Sequence, residues 1–162
     1  MQMFKKNLAA LFGSFAFALS AMAVPAHAQS PVQLSGDVKV EKTTTDESGA
    51  TKTEYVAPDV VVPGDRLLFT TTFTNSGTEP VENFVVNNPL PAAVRLVDDA
   101  DPDLTVSVDG GTTFGKLTEL SVASEGGVSR NAQAADVTHI RWTLAVVNPG
   151  ESGRLEYPAI IR

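Results

Sequence analysis

The residues best suited to do chemistry lie in one acidic stretch, 98–103, which reads DDADPD. Its last three aspartates stand at every second position and match the first three ligand positions of a calcium-binding loop. The pattern then departs from that loop, because Leu104 stands where a glycine is needed and Gly110 where a bidentate glutamate is needed. Two interpretations stay open: calcium bound in another loop geometry, with Asp109 contributing, or a solvated acidic loop.

Residue types suited to catalysis are sparse. His139 is the one histidine outside the N-terminal leader described below, and alternation places it beside Arg141 on the polar face of a strand. A Ser-His-acid site needs an exposed serine, and the chain has no G-x-S-x-G elbow. Paired carboxylates for glycoside cleavage stay open, because a sequence does not show spatial pairs. However, the chain has few long loops to build a cleft and no clustered aromatic residues for sugar stacking. We expect a solvated histidine, no enzymatic activity and no cofactor.

The chain contains no cysteine. Together with the single histidine of the mature chain, this excludes a dedicated zinc or copper site built from a Cys/His cluster. It also excludes a lipoprotein anchor and disulfide bonds, so stability must come from an apolar core, a bound ion or a neighbouring subunit.

Trp142 and the threonine runs 43–45 and 70–72 have both a functional and a structural interpretation. An exposed tryptophan could serve as a ligand platform, but Trp142 alternates with Ile140 and Leu144 and is expected in the core. Threonine runs could form an ice-binding or glycan-binding surface, but threonine also has high strand propensity and suits a wet sheet face. We expect the structural role in both cases.

The N-terminal 28 residues have the pattern of a cleaved, helical signal peptide. Lys5 and Lys6 form the charged start, residues 8–24 are apolar and uncharged, and Ala-His-Ala at 26–28 supplies the cleavage site. The apolar run is shorter than the roughly 20 residues of a spanning helix. The mature chain is therefore expected to begin at Gln29, in the periplasm or at the cell surface.

Removing the leader from the 162 residues leaves 134, enough for one domain. The leader carries two lysines and no acid, so the formal net charge falls from −7 to −9. Such an acidic surface repels phosphate backbones and anionic lipids. We expect an unknown protein or envelope component as partner, no nucleic acid, and no stable membrane insertion after cleavage.

The stretch 60–77 organises the mature chain. Pro63-Gly64 has the residue types of a type II turn, and Asn75-Ser76-Gly77 closes the strand that follows. Alternation places four residues of this strand on a core face: Leu67, Phe69, Thr71 and Phe73.

Two later strands show the same alternation, at 137–147 and 153–161, joined by a second Pro-Gly-acid turn at 148–151. Their predicted inward residues are Ile140, Trp142, Leu144 and Val146 in the first, and Leu155, Tyr157, Ala159 and Ile161 in the second.

A hairpin precedes these strands. After a polar lead-in at 29–34, strands 37–45 and 51–56 flank a turn at 46–49, and their charges are typical of an exposed edge. Further short strands are predicted at 81–87, 93–97, 104–108 and 116–123, with a proline loop at 89–91 and a loop at 124–135. We predict an all-β, immunoglobulin-like antiparallel sandwich of about eight or nine strands. The predicted units are signal peptide 1–28, N-terminal hairpin extension 29–59 and sandwich domain 60–162.

The run PGDRLLFTTTFTNSGTEPVENFVVNNPLPAAVRLV and the later segments SVDGGTTF and IRWTLAVVNPGESGRLEY resemble a bacterial cell-surface repeat family, domain of unknown function eleven. The resemblance covers about Val60 to Ile161 in a single copy. It implies an immunoglobulin-like sandwich on an exported or surface protein, and the family has no agreed activity to assign to this chain. The family usually has aspartate where this chain has Asn88.

Three function classes remain. The first is an exported, non-enzymatic structural or adhesive module of the bacterial cell envelope, monomeric or weakly associated. The second is a self-assembling fibre subunit that donates an N-terminal strand to a neighbour's sheet. The third, more distant, is a calcium-dependent or carbohydrate-binding domain. The 46–49 turn favours a hairpin that folds back on its own sheet, and hence the first class.

Overall fold

A computed structural model describes residues 30–123 and 127–162, and the predicted signal peptide lies outside them. The strands are β1 (Val32–Thr45), β2 (Thr51–Val56), β3 (Arg66–Asn75), β4 (Val81–Pro89), β5 (Val94–Leu96), β6 (Thr105–Ser107), β7 (Gly115–Lys116), β8 (Ser121–Ala123), β9 (Ser129–Asn131), β10 (His139–Val147) and β11 (Ser152–Ile161). Two single-turn 3-10 helices, Leu117–Glu119 and Ala134–Asp136, complete the described elements.

The strands form an all-β sandwich, as predicted, but the described residues contain eleven strands where about eight or nine are predicted. One sheet has the order β2-β1-β3-β11-β5 and faces a second sheet with the order β4-β10-β6-β7, while β8 and β9 pair separately. Residues from both sheets share one apolar cluster, which includes Leu67 of β3, Ile140 of β10 and Tyr157 of β11. Every strand pairing is antiparallel.

The predicted faces of β3 and β11 are confirmed. In β3, Leu67, Thr71 and Phe73 are buried and Phe69 is half-buried, and the residues between them are half-buried as well. In β11, Leu155, Tyr157 and Ala159 are buried and Ile161 is half-buried. These two strands pair over nine residues, so alternation in each sequence reports one shared inner face.

The first hairpin forms as predicted, with β2 at the edge of the five-stranded sheet. The Asp46 carboxylate closes its turn by accepting the Ser48 and Ala50 main-chain N–H groups, each at 2.9 Å. The predicted polar lead-in is wrong at its end, because β1 already begins at Val32, which is buried opposite Asn75. Val32 already packs in the core, although the regular alternation of apolar and polar residues begins only at residue 37 of the sequence.

The prediction that Val146 faces inward is wrong. Val146 is 46% exposed and Val147 is completely buried. The partner strand β4 changes face at the same place, where Asn83 has a φ of 51°. A residue in this left-handed conformation interrupts the two-residue repeat, so the side chains beyond it change face.

Three other predicted boundaries are also corrected. The strand predicted at 116–123 is split into β7, a 3-10 turn and β8, and the loop predicted at 124–135 contains β9 and the start of the second 3-10 turn. Pro89, predicted in a loop, is the last residue of β4 and lies opposite His139. An edge strand accepts this proline, because a residue whose main-chain groups face away from the sheet needs no N–H for strand pairing.

Candidate functional site

An apolar groove of about 340 Å³ lies between the two sheets, lined by β1 and β3 of one sheet and by the end of β4 of the other. Its lining includes Val38, Phe69, Tyr157, Asn88, Pro89 and Pro91. The rings of Phe69 and Tyr157 stack in parallel with their centres 5.0 Å apart. Burial raises the pKa of the Tyr157 hydroxyl to about 12, so this ring is uncharged at physiological pH.

β1 leaves the groove open because of its side chains. Leu34, Gly36 and Val38 have the same parity as the buried Val32 and Val40 and so belong to the inner face. Leu34 is nevertheless 49% exposed, and a Cβ built on Gly36 would meet nothing within 4 Å. No strand of the described chain covers this part of the inner face.

One wall of the groove is β4, which lies at the end of its sheet. Leu90 donates its main-chain N–H inward to the Thr138 carbonyl at 2.8 Å, so by alternation residues 85, 87 and 89 point their main-chain groups outward. Pro89 has no N–H to offer there. The free edge is therefore short, which limits unwanted strand pairing.

Asn88 joins the two sheets at the floor of the groove. Its side-chain amide donates to the Thr71 hydroxyl at 2.6 Å, and Thr71 is a buried residue of β3. An ionised aspartate at this position would have no hydrogen-bond donor, so it could not donate to the Thr71 hydroxyl. Asparagine at position 88 thus forms a hydrogen bond between the two sheets.

The acidic stretch 98–103 is engaged mainly with cations of the protein. Arg66 binds the Asp99 carboxylate through both terminal nitrogens, at 2.9 and 3.1 Å, and this contact lowers the pKa of Asp99. Lys116 lies 2.6 Å from Asp103 and lowers its pKa, while Arg95 lies 3.3 Å from Asp98. Within residues 30–123 and 127–162, no group of three or more acidic or histidine side chains is placed to hold a metal ion. This geometry favours the solvated, ion-paired loop over a calcium site.

His139 is half-buried, so the expectation of a solvated histidine is wrong. Its Nδ1 lies 3.1 Å from the Thr138 hydroxyl, and the Phe114 ring packs edge-on with the centres 6.5 Å apart. Arg141 stacks over the same Phe114 ring at 3.5 Å and donates from Nε to Asn87 at 2.8 Å. The turn at 109–114, which connects β6 to β7, thus covers a face that alternation alone marks as polar.

Ser107 lies opposite His139 in the β6–β10 pairing, and Asp109 follows two residues later. The three residues nevertheless do not form a Ser-His-acid triad. The Ser107 hydroxyl donates to the Asp109 carboxylate at 2.7 Å and accepts the Gly111 main-chain N–H at 2.9 Å. The Thr113 main-chain N–H and the Ser107 hydroxyl lower the pKa of Asp109 to about 2. These contacts hold the turn in shape, and Asp109 acts as a structural acceptor.

Trp142 is partly buried and packs against both apolar clusters of the core. Its ring lies 6.1 Å from that of Tyr157, tilted by 35°. This contact places Trp142 between the groove floor and the sandwich interior, in agreement with the core role expected from alternation.

The hairpin beyond Val40 projects past the sheet. β3 pairs with β1 only over residues 32–40, and the last six residues of β1 pair with β2. Five pairs past the sheet span about 17 Å at the usual rise per residue. Apart from Glu41 and Val56, which are half-buried, residues 41–56 are exposed.

No family model, curated protein or solved structure matches this chain. No helix among the described residues is long and apolar enough to span a membrane. The resemblance given above therefore stays a prediction.

Sequence reasoning missed the groove. Its one sequence signal is Gly36, an isolated glycine in an otherwise alternating strand, which is typical of a place where a side chain is missing or a backbone approaches closely. The other lining residues come from four separate segments, and only the strand order brings them together.

Proposed function

We propose that the protein is an exported, non-enzymatic structural or adhesive module of the bacterial cell envelope. One observation carries the proposal: the N-terminal strand is completed within its own chain. β1 lies between β2 and β3, and Val32 and Val40 are buried in the core of the same molecule. A self-contained sandwich of this kind can present its surface without a second subunit.

Export is supported by the leader pattern at the N-terminus, and surface localisation by the resemblance to the envelope repeat family. The projecting hairpin and the groove beside β4 offer two separate surfaces for an envelope partner. The acidic net charge disfavours nucleic acid and anionic lipid as that partner.

A fibre subunit is the second candidate, and the groove is the observation that favours it. An apolar gap along an unpaired strand is the form of site that accepts a donated strand in β-augmentation. The N-terminal strand is not free for donation in this structure, because β3 pairs with nine of its residues. Donation would require β1 to leave its own sheet.

Fractionation of cells that express the full chain tests the proposal. We expect protein in the periplasm, envelope or medium whose mass corresponds to a chain beginning at Gln29, with or without cyclisation of that glutamine. A variant with Ala26→Asp and Ala28→Asp should accumulate unprocessed, because the small-x-small cleavage site is lost. Full-length protein that requires detergent, or protein confined to the cytoplasm, would contradict the proposal.

A further inference from the structure

A second cavity, of about 360 Å³, lies on the outer face of the five-stranded sheet, on the side away from the core. Its floor is formed by β1, β3 and β11, and Tyr55 of β2 forms part of the wall. The volume is within the range of small-ligand sites, about 300–1,000 Å³. It does not overlap the apolar core.

The polar residues of this cavity form regular rows across three strands. Asp37, Thr70 and Glu156 are direct neighbours in the strand pairing, and Thr72 pairs with Arg154 in the next row. Such neighbours lie about 4.8 Å apart across a sheet. The rows therefore place two carboxylates, two hydroxyls and a guanidinium side by side on one face of the sheet.

Most of this hydrogen-bonding capacity is available to a ligand. Within the described part of the chain, Asp37, Lys39 and Arg154 form no ion pair or side-chain hydrogen bond. Glu156 accepts the Thr70 hydroxyl through one carboxylate oxygen at 3.1 Å, and its other oxygen has no such contact.

The cavity also has an apolar side. Leu68 lies in the floor beside Lys39, and the Tyr55 ring is 46% exposed. The Tyr55 hydroxyl donates to Glu41 at 3.2 Å, which fixes the position of the ring. A ligand with an apolar face and a polar rim would match both parts of the lining.

We propose that this cavity binds a neutral saccharide. Two carboxylates and two cationic groups line it, so their charges balance and an ion of either sign gains little. A sugar hydroxyl is both donor and acceptor and can bond a carboxylate and a neighbouring cation at once. The C–H face of the ring can pack on Leu68 and Tyr55. The inference deepens the proposed function, since it names a ligand class for an adhesive module.

Amide chemical-shift titration of the purified protein tests the inference, with cellobiose and N,N′-diacetylchitobiose as probes and the zwitterion glycylglycine as the charged comparison. We expect saturable shifts with at least one disaccharide, confined to the outer face of β1, β3 and β11. Arg154→Ala and Asp37→Ala should each weaken binding about tenfold, because each removes a charged hydrogen-bonding group.

Thr143→Ala is the matched control, because Thr143 is exposed on the outer face of the other sheet. Its affinity should equal that of the parent. Thr72→Val adds a variant of nearly unchanged shape that removes one hydroxyl from the cavity. The absence of shifts with both disaccharides, shifts with glycylglycine alone, or equal binding by the cavity variants would overturn the inference. None of these results depends on export or oligomeric state, so failure here is distinguishable from failure of the proposed function.

Discussion

Asp65 and Glu151 make the same contact at opposite ends of one strand pair. Each carboxylate accepts the main-chain N–H three residues earlier, Asp65 from Val62 at 2.9 Å and Glu151 from Asn148 at 2.8 Å. Each also closes a turn by donating its own N–H back to the carbonyl of that residue, at 3.0 Å. The two Pro-Gly-acid motifs of the sequence are thus equivalent turns.

Each turn is tied to the end of the other strand. The Gly64 N–H donates to the Ile161 carbonyl at 3.0 Å, and the Gly150 N–H donates to the Asn75 carbonyl at 2.8 Å. The end of each strand in the central β3–β11 pair is therefore bonded to the turn that precedes the other strand. This arrangement fixes the register of the two strands from both sides.

Gly64→Ala and Gly150→Ala should each destabilise the fold by about 1–2 kcal/mol, because the two glycines have φ values of 95° and 75°. Their effects should add, since the turns lie at opposite ends of the pair. Urea unfolding followed by Trp142 fluorescence measures both. Gly36→Ala is the control: its φ is not positive and a Cβ meets nothing, so stability should be unchanged or rise slightly. Equal loss in all three variants would contradict the role of the turns.

Asn75→Ala should cost about 3 kcal/mol. The Asn75 side chain is fully buried and donates to the Val147 carbonyl at 2.8 Å and the Glu79 carbonyl at 3.0 Å. Truncation leaves a buried carbonyl without its donor. Asn148→Ala, which removes an exposed side chain at the start of the second turn, should cost much less. Thermal unfolding of the pair compares them, and similar melting temperatures would show that the buried bonds matter little.

Trp142→Ala should destabilise the sandwich by about 3 kcal/mol, because the indole packs against both apolar clusters. This is a large part of the 5–15 kcal/mol that usually stabilises a domain. Thr143→Ala, next to it on the exposed face, should change stability by less than about 0.5 kcal/mol. Circular dichroism melts distinguish the two. A Trp142 variant as stable as the parent would place the indole outside the core.

Stability should fall at alkaline pH through Tyr157. Burial raises the pKa of Tyr157 from 10.0 to about 12, so the folded state holds this proton more tightly than the unfolded chain. The contribution of this proton to the stability of the fold is fully present below pH 10, and it is lost as the pH rises towards 12. Urea titrations across this range should show a smaller loss in Tyr157→Phe than in the parent, and Thr143→Ala, which removes no titrating group, serves as control. Parallel losses in the parent and Tyr157→Phe would refute the assignment.

Strand alternation in the sequence correctly predicted β3 and β11, because regular extended backbone turns alternate side chains to opposite faces. It failed at Val146, because the side chains of β10 change face there and no residue of β10 indicates this change. The change accompanies the positive φ of Asn83 on the neighbouring strand. The Pro-Gly turns were visible for the same local reason, since proline and glycine each prescribe a backbone conformation.

The two cavities depend on information that the sequence does not express locally. The groove exists because β4 is the edge strand of its sheet and leaves Gly36 of the other sheet uncovered. This is a property of the strand order. The outer cavity depends on the register that brings Asp37, Thr70 and Glu156 side by side across 119 residues of sequence. The acidic stretch was visible but not its cations, since Arg66 lies 33 residues from Asp99.

Light scattering coupled to size exclusion, on protein recovered from the envelope or medium, tests the central claim most directly. We predict the mass of one mature chain of 134 residues, the 162 of the full chain less the 28 of the leader, because β1 pairs within its own molecule. Filaments seen by electron microscopy that vanish when residues 29–45 are deleted would contradict a self-contained module and establish strand donation between copies.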